Sequence, residues 1–510
     1  MKSYELNGTN ISLKDVYDIS YAAEVRLSIA PTALEKMRKS RAVVMDIVKK
    51  GKPVYGINTG FGALASKQIA TEDLEKLQYN LIRSHCTGVG SAFSKPVSRA
   101  IMLCRANCLI QGFSGVTPET INLLLNMINL GITPVIPEKG SVGASGDLAP
   151  LSHVALALIG EGDVEWNGKI VRADFAFSQV GLKAAKLGPK DGLALINGTS
   201  VMLALGALAV IDAERIMKQA DIIGCLTLDA VRGTPSAFDS RISMLKPQPG
   251  QVEVSNNLLR LIKGSEIIHS HPEDGKVQDP YSLRCMPQVH GACRQTLRHA
   301  HEVLTTELNS VTDNPLVFAD TGDVVSGGNF HGEALALVLD YLAMGLAEIC
   351  SIAERRVEKM MNPHFSDLPA FLTKNSGLNS GLMIAHVTMA ALTSENKGLC
   401  HPASVDSIPT STDKEDHVSM GVTAGRKLHE VVRNVQTCLA IELLCNTQGL
   451  DFLRPLKTSP ALEKVMTLVR KHVPHIEDDR VFHKDIEWLT KIVQSGELIS
   501  EVETVTGELL

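Results

Sequence analysis

Residues Gly140–Pro150 read GSVGASGDLAP, and the reading of the three small residues at the centre, Ala144-Ser145-Gly146, decides how the rest of the chain is understood. Small residues are at home in ordinary turns. A serine-hydrolase elbow is disfavoured, because it needs glycine two places after the serine and Asp147 stands there. The remaining chemical reading uses the backbone itself. A tight turn brings the Gly146 amide nitrogen against the Ala144 carbonyl carbon, an approach glycine permits because it lacks a Cβ and tolerates strain. Closing a five-membered ring expels water, and loss of the Ser145 hydroxyl leaves an exocyclic methylene. The product is an electrophile made from the chain alone.

The chain around this stretch is globular in composition: 510 residues, 44% hydrophobic and 21% charged, enough to bury a large core. A net charge of −6 without long charged runs argues against nucleic acid or an anionic membrane as partner. Ten cysteines with no CxxC spacing read as reduced thiols in a cytoplasmic protein, and the opening residues carry no apolar core of signal-peptide length. Gly192 to Ile211 holds no charge and is long enough to span a bilayer. Its polar interruption at Asn197 to Ser200 and the lack of basic flanks make it a buried loop followed by a buried helix.

Helical spacing dominates. Leu335, Leu339, Leu342, Leu346 and Ile349 step by three and four, as do Leu428, Val432, Val435 and Leu439. Further helices are expected near 97–112, 118–130, 201–231, 290–311, 378–397 and 484–495. The best strand candidate is a hairpin over Asp163–Ala173 that turns at Asn167-Gly168. The expected fold is mainly α, a long-helix bundle over residues 201–510 with a loop-rich portion over 1–200 that carries the chemistry. No GxxxxGK[ST] occurs, and the glycines of GINTGFG (Gly56–Gly62) miss the dinucleotide fingerprint. HSHPED (His269–Asp274) has metal-ligand residue types but reads as a solvated loop, and His417 is assigned no chemistry.

The stretch GSVGASGDLAPLSHVALALIGEG resembles the signature of the aromatic amino acid ammonia-lyases. VYGINTGFG, NLIRSHCTGVG, GLALINGTSVM, VQDPYSLRCMPQVHGA, TDNPLV, SGGNFHGE and SENKGLCHPASVDSIPTSTDKEDHVSMG follow in the family's order and spacing, from about Tyr55 to Gly421. The resemblance implies a mostly helical homotetramer whose active sites each draw on three subunits. It also implies that Ala144, Ser145 and Gly146 cyclise to 4-methylidene-imidazol-5-one, with no metal or dissociable cofactor expected. By the same resemblance Tyr55 is the base, and Arg284, one helical turn from Tyr281, is the clamp on the substrate carboxylate. Asn197 and Gln278 then line the prosthetic group and substrate, and Phe330 packs beside the electrophile.

Three positions bear on the substrate, a small amino acid. His85 exchanges hydrogen bonds with a ring nitrogen, Met383 offers a soft apolar wall, and Glu415 supplies the carboxylate that an imidazole N–H wants. Phenylalanine and tyrosine lyases usually carry an amide in place of Glu415. The expected reaction is therefore elimination of ammonia from L-histidine to trans-urocanate. A tyrosine or phenylalanine ammonia-lyase and an aminomutase with the same prosthetic group are the alternatives. Thr412-Asp413-Lys414 departs from the family's frequent Ala-Asn-Gln and sets two charges beside Glu415.

Overall fold

A computed structural model describes residues 2–271 and 277–510; the Pro272–Asp274 part of HSHPED lies outside the described residues. The described residues form twenty-one α-helices and only small sheets, as the periodicity requires. The leucines that step along the sequence lie in Glu333–Met361, with Leu335, Leu339, Leu342, Leu346 and Ile349 all buried; Leu428, Val432, Val435 and Leu439 are buried in Gly421–Asp451. Glu333–Met361 is, among the described residues, the one helix long and apolar enough to cross a membrane, and 67% of its most apolar stretch is buried in the protein.

The expected hairpin forms between Asp163–Trp166 and Lys169–Arg172, with Trp166 opposite Lys169. Its two-residue turn needs positive φ at both positions, and Asn167 (51°) and Gly168 (73°) supply it. The uncharged Gly192–Ile211 stretch is wholly buried. It begins as a short helix, Asp191–Ile196, breaks at Asn197 to Thr199, and resumes as Ser200–Ala230.

The chain divides into two compact units. The first comprises Met1–Ile211, Ala300–Asp340 and Pro402–Arg426; the second comprises Asp212–His299, Tyr341–His401 and Lys427–Leu510. In the first, three helices pack mutually: Leu74–His85, Leu148–Leu158 and Asp191–Ile196. The first and last of these approach closely: Gly192 donates its N–H to Gln78 Oε1 at 2.9 Å, where a side chain would press on the Gln78 backbone. One helix ends at His85, one follows the Ala-Ser-Gly turn, and one leads into Asn197, so their packing gathers three sequence-distant site segments.

The second unit has a buried charged centre. Arg356 binds Glu442 through Nε and Nη2 at 2.6 and 3.0 Å, and Arg356 Nη1 lies 3.3 Å from His290 Nε2. His290 Nδ1 in turn donates to Asp221 at 2.8 Å, and Arg294 donates to the same carboxylate at 2.6 Å. Burial holds His290 below the usual imidazole value, in keeping with an Nε2 that accepts from arginine. Glu442→Ala strands the Arg356 charge and is expected to cost about 3–5 kcal/mol in urea denaturation, whereas Arg356→Met with Glu442→Leu recovers most of the loss. A single variant as stable as the parent contradicts this account of the centre.

Candidate active site

The Ala-Ser-Gly turn is held by its neighbours. Gly146 has φ +74° and pairs in parallel with Gly198, and a Cβ on it would fall inside the Gly198 carbonyl. Only glycine fits there. Asp147 N donates to Gly198 O at 2.8 Å. The Asp147 carboxylate accepts from the Val201 and Met202 amides, at 2.8 and 3.1 Å, at the start of the long helix Ser200–Ala230, where unsatisfied N–H groups favour an anion. Burial nonetheless pushes this carboxyl up to about 7, against those bonds and the charge of Arg105. Arg105, fully buried, donates to the carbonyls of Ala194, Asn197 and Thr312. The strand of backbone that braces Gly146 is thus tied to a rigid helix.

Above the turn lies a cavity of about 1020 Å³ lined by Tyr55, His85, Ala144, Ser145, Asn197, Phe330 and Glu415. Gly146 lines an adjoining cavity of about 220 Å³ with Ala144 and Glu415. Tyr55 is placed by the loop after helix Pro31–Lys50: Asn58 Oδ1 accepts from Val54 N at 2.7 Å, and Gly56 sits where a side chain would meet Leu193 and Pro315. The Tyr55 hydroxyl accepts from Gly62 N at 3.5 Å. His85 Nδ1 donates to Leu81 O at 2.8 Å, which makes Nε2 the acceptor. Burial holds its pKa below the usual value, against the Leu81 bond and the charge of Glu415. Asn197 Nδ2 donates to Asn314 O at 2.8 Å, while its buried Oδ1 has no partner.

Glu415 closes the far wall. It accepts from Ser145 Oγ at 3.0 Å and from Thr410 Oγ1 at 2.6 Å. Its backbone pairs with Thr410, and the tip between them, Ser411-Thr412-Asp413, runs through three successive positive φ values of 53°, 52° and 63°. Consecutive non-glycine residues in this region cost energy and persist only where surroundings enforce them. Asp413 and Lys414, the charges expected to disturb Glu415, are exposed, and Lys414 reaches the cavity lining.

Gln278, Tyr281, Arg284 and Met383 belong to the second unit and are absent from this cavity's lining. Tyr281–Arg284 is one helical turn with the guanidinium 4.5 Å from the tyrosine ring centroid. Arg284 makes no ion pair among the described residues, and its buried Nε has no hydrogen-bond partner. Gln278 is exposed and Met383 opens the helix Met383–Leu399. Sequence reading missed His331 and His417, which line the cavity with parallel rings 5.6 Å apart; the HGE and EDH contexts carried no spacing signal linking them.

Comparison with known proteins places this mainly helical chain, with its cavity over a small-residue turn, among the carbon–nitrogen lyases. The profile described as aromatic amino acid lyase matches residues 11–471, and the chain belongs to that family. It is 48% identical to a histidine ammonia-lyase of Myxococcus xanthus (strain DK1622), over 98% of this chain and 99% of the relative. Among solved structures it superposes on histidine ammonia-lyase from Trypanosoma cruzi with a TM-score of 0.92 at 44% identity, covering 99% and 96% of the two chains. It matches tyrosine aminomutase from Streptomyces globisporus at 0.94 and 36%, covering 99% and 100%.

Ser145 carries the one side-chain hydroxyl of the Ala144-Ser145-Gly146 turn, and that hydroxyl donates to Glu415 in the cavity wall. Ser145→Ala, which removes only one hydroxyl from a half-buried site, is expected to abolish turnover with an unchanged circular dichroism spectrum. Wild-type activity in that variant contradicts the role.

Proposed function

We propose that this chain is a histidine ammonia-lyase, removing ammonia from L-histidine to give trans-urocanate at the opening of histidine degradation. The observation that carries the reading is the pair of acceptors on the cavity wall: the Glu415 carboxylate, and His85 with its Nδ1 already committed to Leu81. An imidazolium ring offers two N–H donors to such a pair; a phenyl ring offers none. A phenyl ring would take water from the half-buried Glu415 carboxylate and return no hydrogen bond, so the site penalises the wrong substrate as well as favouring the right one.

Ala144, Ser145 and Gly146 would hold the prosthetic group. The Gly146 nitrogen bonds to the Ala144 carbonyl carbon, whose oxygen leaves as water, and Ser145 loses its α-hydrogen and hydroxyl as a second water. The braced Gly146 conformation and the unpartnered Asn197 Oδ1 fit such a group. When formed, it supplies an electrophilic methylene for the substrate amine. Asn197 Oδ1 receives an N–H of that amine. Tyr55, whose hydroxyl oxygen accepts from the Gly62 N–H, takes the β-proton. Arg284, unpaired in its own unit, binds the substrate carboxylate in bidentate fashion beside Tyr281, with Gln278, Met383 and Phe330 completing the walls.

Those second-unit residues would reach a cavity through assembly as a homotetramer. Leu337, Tyr341 and Met344 form an exposed apolar stripe on Glu333–Met361, 51%, 44% and 38% exposed, and Ile384 and Val387 are exposed on Met383–Leu399. Such faces are what subunits cover. Ten free cysteines support a reducing, cytoplasmic location.

Parallel assays of urocanate, coumarate and cinnamate test the substrate, with product analysis separating lyase from aminomutase. L-Histidine is expected to give the largest kcat/KM, and Glu415→Ala to lose most of it; a larger value for tyrosine or phenylalanine contradicts the role of Glu415. Sedimentation is expected to show a tetramer carrying all activity, and an active monomer contradicts the assembly.

A further inference from the structure

On the rim of the cavity, His331, Glu333 and His417 bring two imidazoles and a carboxylate together, with donor atoms within 4.8 Å of one another. We propose that these three side chains form a binding site for a divalent cation of the zinc type. Neither the ammonia-lyase reading nor the identity of the amino acid substrate enters this inference.

Two histidines and one glutamate are a donor set that zinc accepts, with a fourth position left for water. Ligands about 2.0–2.2 Å from a tetrahedral ion stand roughly 3.3–3.5 Å apart. His417 Nε2 and Glu333 Oε2 are 4.0 Å apart, and all three donor atoms fall within 4.8 Å, so binding would draw them together by about 1 Å. Glu333 Oε2 is shielded from water and has no hydrogen-bond partner, which is costly for a carboxylate unless something positive completes it. The two imidazole rings lie parallel within 10°, their centroids 5.6 Å apart. The bond from His331 Nε2 to His417 O is long at 3.4 Å, so an imidazole gives up little in turning to a metal.

The backbones that carry the ligands are fixed. Gly332 packs so tightly on Met202 that a Cβ there would collide with its sulfur, and Glu333 opens the helix Glu333–Met361. Val418, next to His417, is fully buried and donates its N–H to Ser407 Oγ at 3.0 Å. A bound ion would tie the turn before that helix to the segment carrying Glu415, two residues from His417, and so stiffen one wall of the cavity.

Cobalt(II), which occupies zinc-type sites and absorbs visibly when so ligated, is the direct probe on the full-length protein. One cobalt per chain is expected to bind saturably, with ligand-field bands, no thiolate charge-transfer band, and displacement by zinc. Zinc is expected to raise the thermal midpoint by mass action. His417 is 70% exposed in its side chain, so His417→Ala should fold as the parent does; it and Glu333→Gln are each expected to lose both the cobalt bands and the zinc-dependent rise. No saturable binding by the parent, or a parental titration in either variant, overturns the proposal.

Discussion

The contact between two glycines, Gly146 and Gly198, is the constraint on which the site depends. Neither position has room for a Cβ, one because of the other's carbonyl and the other because of Arg105 and Thr312. The contact would be worthless if either strand drifted. Gly198 is held by a buried guanidinium that binds carbonyls before and beyond it, and Gly146 by the neighbouring Asp147, whose carboxylate sits on the first amides of Ser200–Ala230. A cation satisfied by carbonyl dipoles and an anion satisfied by a helix start both resist displacement, because each would be stranded in an apolar interior. The rigidity of a 31-residue helix is thereby delivered to one peptide bond.

Specificity is built from different material. Helices position His85 and Asn197, whereas Glu415 hangs on a turn with three strained residues at its tip. Thr410 and Ser145 donate hydrogen bonds to its carboxylate, and only the Thr410 bond would survive loss of the Ser145 hydroxyl. The Ala144-Ser145-Gly146 turn is therefore fixed by packing and the Glu415 side of the cavity by local hydrogen bonds. The departure of Thr412-Asp413-Lys414 from the family's pattern falls in the exposed tip beside Glu415.

Much of this was legible in the chain before any coordinates. The long helices announced themselves because their buried positions are leucine and valine at unbroken three- and four-residue steps, and the Asn167-Gly168 hairpin because its turn admits few other residues. The 20-residue helix Pro31–Lys50 did not: its buried positions are Ala33, Met37, Ser40 and Val44, a thin stripe that half consists of small residues. Motif resemblance named the cavity residues but not what holds them. Arg105 sits in an apolar helix and acts on backbone carbonyls at 194, 197 and 312, contacts that leave no side-chain signature. His331 and His417 meet only through the fold, and Gln278, Tyr281, Arg284 and Met383, though carried by the same resemblance, lie in the second unit.

The proposed function rests on the conversion of the Ala144-Ser145-Gly146 backbone into an electrophile. The mass of the intact purified chain measures that directly. Cyclisation predicts a mass below that of the sequence by two water molecules, with the deficit confined to the peptide containing residues 144–146. A chain, active or not, whose mass equals that of its unmodified sequence contradicts the account.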